Sequence, residues 1–246
     1  MIDASASADR GTRAGRSTGE GWQEVARAAI PGEAEPMRLV QRGEAYSILI
    51  GTAELMTNIL RGSEQALGRM GCAHLHDTPQ ATVLIGGLGM GFTLNAALAE
   101  LPPSARIVVS ELMPAVEQWA RGPLGHVFGR CLDDPRVEIR IEDVRRTIQS
   151  GAEQFDAILL DVDNGPQGMT QRSNNRLYDA WGLKRARFAL KPNGVLAVWS
   201  GSPNRQFKAR LRLCGFDVEE RRFHSDGRFN RRHVIWFATK PEHAAW

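Results

Sequence analysis

Features that mark secreted, metal-stabilised or membrane proteins are scarce in this 246-residue chain. Its three cysteines, Cys72, Cys131 and Cys214, stand far apart and form no CxxC pair, which argues against a disulfide framework and a structural zinc site. No stretch approaches the ~18 uncharged apolar residues of a membrane span, and no apolar signal segment follows Met1. We therefore expect a cytoplasmic protein that has no contact with membranes and holds no metal.

The charge of the chain is also modest. The formal net charge is +3, and hydrophobic and charged residues make up 42% and 24% of the sequence, which excludes a wholly disordered or collagen-like chain. A protein that binds nucleic acid usually concentrates its positive charge on one face. The most notable basic cluster comprises Arg221, Arg222, Arg228, Arg231 and Arg232. A charged hairpin rim is its simpler interpretation, so we expect no nucleic-acid partner.

Composition divides the chain into three segments. Residues 1–21 are largely Ser, Ala, Gly and Arg with almost no large apolar side chain, and this composition predicts a disordered tail. Residues 22–78 are predicted to form a small unit of a β-hairpin and a helix. The sequence Asp77-Thr78-Pro79 predicts an interruption of secondary structure. It separates this unit from residues 79–246, the predicted catalytic domain.

The small unit is predicted from two apolar runs and one helical pattern. Met37–Gln41 and Ala45–Ile50 flank Arg42-Gly43-Glu44, an arrangement typical of a β-hairpin. In Ser63–His74 the apolar residues recur near helical spacing, and Ser63 is the predicted N-cap.

Strand and helix patterns alternate through the main segment. The predicted strands are Thr82–Gly86, Arg106–Ser110, Val137–Ile141, Ala157–Asp161 and Val195–Ser200. The predicted helices are Phe92–Leu101, Ala115–Arg121, Val144–Gln149, Leu177–Leu190 and Arg205–Cys214. This alternation predicts an α/β fold with a doubly wound, Rossmann-like, mostly parallel sheet. Asp217–Phe223 and His233–Thr239, on either side of a turn at residues 225–228, are predicted to close it as an antiparallel hairpin.

A glycine-rich loop and an acidic residue mark the first two of these strands. Gly87, Gly89 and Gly91 follow the first strand and open a helix, where glycine lets the backbone approach a ligand and present helix N-terminal amides. Glu111 ends the second strand, at the place where an acidic side chain can accept from both ribose hydroxyls. Taken alone, the first could be a tight turn and the second a solvated surface acid. Together they predict an adenosine-containing ligand.

Acidic residues also end the third and fourth strands. Asp143 ends the third, where it could accept from an adenine amino group, and Asp161 and Asp163 end the fourth. These strand ends line the crevice in which doubly wound sheets bind ligands. The chain has no GxxxxGK[ST] loop for a nucleoside triphosphate. A cationic ligand such as S-adenosylmethionine, with its sulfonium and ammonium groups, suits an acidic crevice better.

From about residue 37 to residue 239 the sequence resembles the spermidine synthase family, aminopropyltransferases built on the class I methyltransferase fold. Five motifs carry the resemblance: VLIGGLGMGFTL (83–94), SELMPAVE (110–117), DDPRVEIRIEDV (133–144), FDAILLDVDNGP (155–166) and LYDAWGLKRARFALKPNGVLAVWSGSP (177–203). The resemblance implies that Glu111 holds the ribose and Asp143 the adenine. It implies further that Asp161 is the catalytic base that deprotonates the attacking amine and that Tyr178 helps to position that amine.

The residues around Asp161 suit this chemistry on their own account. An amine that attacks a carbon beside a sulfonium must first be neutral, and a carboxylate within hydrogen-bond reach can take its proton. Asp163 would add negative potential that attracts a cationic acceptor. The alternative is a plain turn favoured by the Asn-Gly pair that follows. A metal site is disfavoured because no neighbouring histidine or third acid completes a ligand set.

The expected function is therefore transfer of an alkyl (aminopropyl) group from S-adenosylmethionine or its decarboxylated form to a small-molecule amine, in a protein that can form a homodimer. The alternative is an S-adenosylmethionine-dependent methyltransferase acting on a small molecule. Met90 favours this alternative, because spermidine synthases usually carry an aspartate in the glycine loop. The nearest match to their Tyr-His-Glu run is Ser63-Glu64. A non-enzymatic nucleoside-binding module is disfavoured because Asp161 is retained.

Overall fold

The computed structural model describes residues 21–162, 175–224 and 232–242. All but the last residue of the predicted tail, the predicted turn at residues 225–228, and Asp163 lie outside the described residues. The described chain forms two sheets and the helices that cover the larger one.

The smaller sheet lies at the N-terminal end and has four antiparallel strands in the order β1-β2-β3-β4. Its strands are β1 (Gln23–Ala28), β2 (Met37–Arg42), β3 (Ala45–Ile50) and β4 (Ala53–Thr57). The predicted hairpin is confirmed as β2 and β3, which pair from Met37↔Ile50 to Arg42↔Ala45. The outer strands β1 and β4 were not predicted. They are mostly exposed or half-buried, so they lack the apolar run that marks a strand in a sequence.

The helix predicted for the small unit is confirmed as α1 (Gly62–Cys72), followed by a short 3-10 helix (Ala73–Leu75). The prediction that Ser63 is its N-cap is wrong, because Arg61 occupies the cap and no side chain caps the helix. The Ser63 hydroxyl is engaged elsewhere, with the side chains of Glu64 and His233.

The larger sheet has seven strands in the order β10-β11-β9-β8-β5-β6-β7. They are β5 (Thr82–Gly86), β6 (Arg106–Glu111), β7 (Val137–Ile141), β8 (Phe155–Leu160), β9 (Leu190–Ser200), β10 (Asp217–His224) and β11 (Arg232–Thr239). Strands β7, β6, β5, β8 and β9 are parallel, and β11 pairs antiparallel with both β9 and β10. The predicted doubly wound, Rossmann-like sheet with a C-terminal antiparallel hairpin is confirmed.

Seven further helices connect or flank these strands. They are α2 (Phe92–Glu100), α3 (Pro114–Arg121), α4 (Gly125–Phe128), α5 (Val144–Gln149), α6 (Asn175–Tyr178), α7 (Ala180–Ala189) and α8 (Arg205–Leu213). The single helix predicted over Leu177–Leu190 is wrong, because it is split at Asp179. The Asp179 side chain accepts a hydrogen bond from the Gly182 backbone N–H (2.8 Å) and so begins a new helix.

Helix α1 packs closely on α2 and on the face of the larger sheet. A Cβ atom on Gly68 would lie 2.3 Å from the Thr93 carbonyl oxygen of α2, and one on Gly71 would lie 2.4 Å from the Leu159 side chain of β8. Such close approach needs glycine at both positions. The predicted small unit therefore contributes a helix that covers the larger sheet, and the division at residue 78 remains a prediction. Among the described residues, no helix is long and apolar enough to cross a membrane.

Candidate active site

The strands of the larger sheet bring their carboxyl ends to one edge. Gly86, the last residue of β5, pairs with Ser110 of β6 and with Leu160 of β8. The residues that follow these three positions therefore meet: the glycine loop, Glu111 and Asp161. This is the edge at which sheets of this type bind ligands.

A cavity of about 380 Å³ lies between this edge and the N-terminal sheet. Five residues predicted from the sequence line it: Gly87, Gly89, Glu111, Asp143 and Asp161. The opposite wall comes from the N-terminal sheet and its loops. It is mainly apolar, with Ile30, Met37, Ile50, Leu55 and Met56, but the loop before β2 also contributes Glu33 and Glu35. A cavity of this size, mainly apolar with a few converging polar groups, is typical of a small-molecule site.

The three predicted glycines serve different purposes. Gly87 has a φ of 91°, and a Cβ atom there would lie 2.5 Å from the backbone oxygen of Asp161. Gly91 is not among the cavity-lining residues; it precedes α2, and a Cβ atom on it would meet the Phe128 ring at 2.6 Å. Gly89 has a φ of 53°, and a Cβ atom there would meet only the Met56 sulfur, at 3.6 Å. Gly89 thus borders open ligand space, whereas the other two permit close packing.

Glu111 is buried and is held by the loops on both sides of it. Its Oε2 accepts from the Leu88 backbone N–H (2.9 Å) and its Oε1 from the Met113 backbone N–H (2.8 Å). Burial raises the pKa of the carboxyl, and the hydrogen bonds from Met113 and Leu88 oppose this. Each carboxylate oxygen has a second lone pair for a ligand hydroxyl. The side chain therefore fixes the glycine loop as well as lining the cavity.

We expect Glu111→Ala to weaken binding of methylthioadenosine by about 1.5–3 kcal/mol, the contribution of a charge-assisted hydrogen bond. The substitution also leaves the backbone amides of Leu88 and Met113 without these acceptors, so thermal unfolding of the free protein should occur at a lower temperature. Calorimetric titration measures the first effect and thermal denaturation the second. Glu117→Ala, on the exposed pair with Arg121, is the control and should change neither; unchanged affinity in Glu111→Ala would remove Glu111 from the site.

Asp143 lines the cavity, but the hydrogen bonds of its carboxylate go mainly to the first turn of the helix that follows it. It is the N-cap of α5, where Oδ1 accepts from the Arg145 backbone N–H (2.9 Å) and both oxygens accept from the Arg145 guanidinium. Although burial raises it, the pKa of Asp143 is lowered overall by these hydrogen bonds and by the charge of Arg145. Its predicted contact with adenine remains a prediction.

A second, smaller cavity of about 70 Å³ adjoins the first. Both cavities are lined by Gly89, Asp161 and Met56. The smaller cavity is also bordered by Glu64 of α1 and by Trp199 of β9. Asp161 therefore stands where a ligand in the larger cavity would meet a group in the smaller one.

Asp161 is half-buried and lies close enough to the Glu64 carboxyl group to feel its charge. Its Oδ2 accepts from the Thr93 hydroxyl at 2.7 Å. Burial, together with the negative charge of Glu64, raises the pKa of Asp161 to about 7, while the hydrogen bond from Thr93 opposes the rise. Burial also raises the pKa of Glu64. A carboxyl group with a pKa near neutrality can both take and release a proton at physiological pH.

The remaining predicted residues lie outside the two cavities or outside the described chain. Tyr178 is buried against the Phe207 ring, and its hydroxyl lies 3.4 Å from the Val162 carbonyl oxygen. It thus contacts the segment that follows Asp161, and its role in positioning an amine remains a prediction. Asp163 lies outside the described residues, so its predicted attraction of a cationic acceptor also remains a prediction.

Sequence reasoning gave no role at this site to Thr93 or His233. Thr93 lies within the glycine-loop motif, which is the one local signal that could have identified it. Glu64 was noted only as the nearest match to a missing motif. In the described part of the chain, no group of three or more His, Cys, Asp or Glu side chains could hold a metal ion.

The chain is similar to known proteins in both sequence and structure. No protein-family model matches the chain. The polyamine aminopropyltransferase of Nitrosomonas europaea is 34% identical over 128 residues, which are 52% of this chain and 37% of that protein. Polyamine aminopropyltransferase 2 of Pseudomonas aeruginosa is 30% identical over 134 residues, 50% of this chain and 34% of that protein. The chain thus spans about a third of the length of these curated relatives.

Solved structures share the fold over most of the chain. A spermidine synthase in complex with the transition-state analogue AdoDATO has a TM-score of 0.70 and 19% identity, covering 90% of this chain and 74% of that one. The spermidine synthase of Thermotoga maritima has the same TM-score and coverage at 18% identity. Fold and crevice define a Rossmann-like domain with a small-molecule site at the carboxyl edge of its parallel strands. Within that class, the predicted resemblance to the spermidine synthase family is confirmed.

Proposed function

We propose that this protein transfers an aminopropyl group from decarboxylated S-adenosylmethionine to a small-molecule amine. The observation that carries the proposal is the position of Asp161, a half-buried carboxyl group in the wall common to both cavities. The sequence relatives named polyamine aminopropyltransferase and the fold shared with spermidine synthases support it. The proposed location is the cytoplasm.

In the proposed complex the nucleoside part of the donor occupies the larger cavity. Glu111 would accept from the ribose hydroxyls and Asp143 from the adenine amino group. The apolar wall that the N-terminal sheet supplies, including Met37 and Leu55, would cover the ligand and exclude water. Exclusion of water strengthens the electrostatic interactions of the cavity-lining carboxylates with a cationic donor.

The acceptor amine would enter the smaller cavity beside Asp161 and Glu64. Its nitrogen lone pair attacks the carbon next to the sulfonium, the new C–N bond forms, and the C–S bond breaks with its electron pair passing to sulfur. The products are an alkylated amine and the neutral thioether methylthioadenosine. The proton lost by the amine goes to the Asp161 carboxylate, which acts as general base.

Methyl transfer is the second candidate, favoured by the composition of the glycine loop. The described loop carries Met90, which is buried and lines the smaller cavity, and it has no acidic residue to contact the ammonium end of an aminopropyl group. With intact S-adenosylmethionine the same crevice would release S-adenosylhomocysteine. The acceptor would then be a small molecule as well.

Product analysis separates the two candidates. The protein is incubated with decarboxylated or intact S-adenosylmethionine and a panel of mono- and diamines, and the nucleoside product is identified by mass. We expect methylthioadenosine, formed only with the decarboxylated donor and an amine. S-Adenosylhomocysteine from the intact donor would replace our proposal by methyl transfer, and the absence of both products across the panel would overturn the assignment of an alkyltransferase.

A further inference from the structure

A hydrogen-bond chain runs from the smaller cavity to strand β11. The Ser63 hydroxyl lies 2.7 Å from Glu64 Oε2 and 2.8 Å from His233 Nδ1. Ser63 is buried, His233 is half-buried, and the Trp199 ring packs against the His233 ring with centroids 5.0 Å apart. Glu64 and Asp161 both line this cavity. These hydrogen bonds therefore connect the site to His233, which is 170 positions from Ser63 in the sequence.

The single proton of the Ser63 hydroxyl restricts how this chain can be arranged. If Glu64 is ionised, Ser63 donates to it, and His233 must then donate its Nδ1–H to Ser63. If Glu64 is protonated, it can donate to Ser63, and Ser63 donates to an unprotonated Nδ1. The protonation of His233 Nδ1 and the ionisation of Glu64 are therefore coupled through one hydroxyl group.

We propose that His233, acting through Ser63, keeps Glu64 ionised and correctly oriented beside Asp161, so that Ser63 and His233 are positioning residues for the reaction. The part of this proposal that concerns the reaction rests on the proposed function. The neutral His233 ring then carries its proton on Nδ1, and donation runs from Nδ1 to the Ser63 hydroxyl and from there to Glu64. The retained charge of Glu64 makes Asp161 a stronger base. It also adds to the attraction of a cationic amine.

The electrostatics of the two carboxyl groups agree with this arrangement. Burial raises the pKa of Glu64, and the hydrogen bond from Ser63 is the first influence that opposes it. Burial and the charge of Glu64 together raise the pKa of Asp161. Loss of the Ser63 hydroxyl should therefore let Glu64 take up a proton, and the neutral Glu64 would no longer raise the pKa of Asp161.

Other charged groups on the elements that pack against α1 have partners of their own. Arg221 and Arg222 of β10 pair with Glu219 and Glu220 on the same strand, and the pair Arg69–Glu100 joins α1 to α2 (3.7 Å). Arg61, which precedes α1, lies over the Phe92 ring. Among the residues whose side chains the structure describes, His233, through Ser63, and Asp161 are the titratable groups next to Glu64 from β11 and from the end of β8.

The first test is kinetic and uses Ser63→Ala. We expect the acidic limb of the profile of kcat/KM against pH to move to lower pH, by an amount on the order of one unit. We also expect kcat to fall by up to about tenfold, because Asp161 becomes a weaker base, while KM for the donor stays unchanged. Ser63→Thr, which keeps the hydroxyl, should restore the wild-type profile. Ser47→Ala removes another buried serine that donates to a glutamate (Glu54, 2.8 Å) and should not alter the profile.

The second test does not depend on activity and so remains valid if the proposed function fails. Nuclear magnetic resonance of isotope-labelled histidine reports which ring nitrogen carries the proton, and the His233→Gln spectrum assigns the signal. At about pH 9, well above the usual histidine pKa of about 6.5, we expect the Nδ1–H form in the wild type and the Nε2–H form in Glu64→Gln and Ser63→Ala. The same form in all three proteins, or a wild-type profile in Ser63→Ala, would overturn the proposal.

Discussion

Replacement of Asp161 by asparagine is expected to lower turnover by about 10²–10⁴-fold, the usual contribution of a general base. Asparagine is nearly isosteric and can still accept from the Thr93 hydroxyl, which contacts Asp161 Oδ2 at 2.7 Å, but it cannot take a proton at neutral pH. Donor affinity should change little, because the proposed role concerns the acceptor and its proton. Steady-state kinetics with the amine identified by product analysis, together with calorimetry on methylthioadenosine, measures both quantities.

The pH dependence of the wild-type enzyme follows from the same carboxyl group. Burial, with the charge of Glu64, raises the pKa of Asp161 to about 7, and only the ionised form can act as base. The value of kcat/KM should therefore rise with pH through about 7 and level off above it. This rise of kcat/KM with pH should be absent from the Asp161→Asn variant. An Asp161→Asn enzyme that kept near-wild-type turnover on both sides of pH 7 would show that Asp161 is not the base.

Two controls distinguish a lost base from a damaged fold. Because the pKa of Asp161 is raised in the folded state, folding favours its protonated form, and the stability that this form contributes is lost as pH rises through about 7. Neutral asparagine should therefore be at least as stable as the wild type above pH 7. Asp156→Asn alters the aspartate that lies within β8, where it accepts from the Thr82 backbone N–H (2.8 Å) and Lys191 Nζ (2.7 Å). It should reduce stability and leave turnover unchanged.

The larger sheet could be predicted from the sequence because its strands are strongly apolar and buried. The apolar runs of β5 and β8 are such strands, and their residues from Val83 and Ala157 onward are almost fully buried. The N-terminal strand β1 gave no such signal, since most of its residues are exposed. The break at Asp179 was missed for a different reason: apolar periodicity continues across it, and only the side-chain hydrogen bond to Gly182 shows that a new helix begins.

The residues of the candidate site also differ in whether the sequence could place them. The acids Glu111 and Asp161 could be placed because they end parallel strands, and the register of such strands brings their ends together. Glu64 and His233 could not, because their proximity depends on how α1 packs against β11. No local pattern relates two residues so far apart in the chain. Their contribution is therefore a property of the packing, which the sequence does not display.

Gly89→Val is expected to abolish binding of methylthioadenosine, with affinity lowered at least a hundredfold, about 2.7 kcal/mol. A Cβ atom on Gly89 would point into the space shared by both cavities, with only the Met56 sulfur nearby, at 3.6 Å. The two methyl groups of valine would fill part of the volume that the ligand needs. Gly89→Ala, which adds one carbon, should bind more weakly than the wild type but better than Gly89→Val. Calorimetric titration of the three proteins measures the series.

Backbone strain contributes to this result and has to be separated from the loss of ligand space. Gly89 has a φ of 53°, a conformation that costs a β-branched residue on the order of 1–3 kcal/mol. Gly43, in the turn between β2 and β3, has a φ of 59° and nothing within 4 Å of its Cβ position. Gly43→Val therefore imposes a similar strain without touching the cavity, and we expect both valine variants to unfold at similarly lowered temperatures. Only Gly89→Val should lose the ligand; if Gly43→Val lost it equally, the effect would lie in the fold, and Gly89 would not border the binding site.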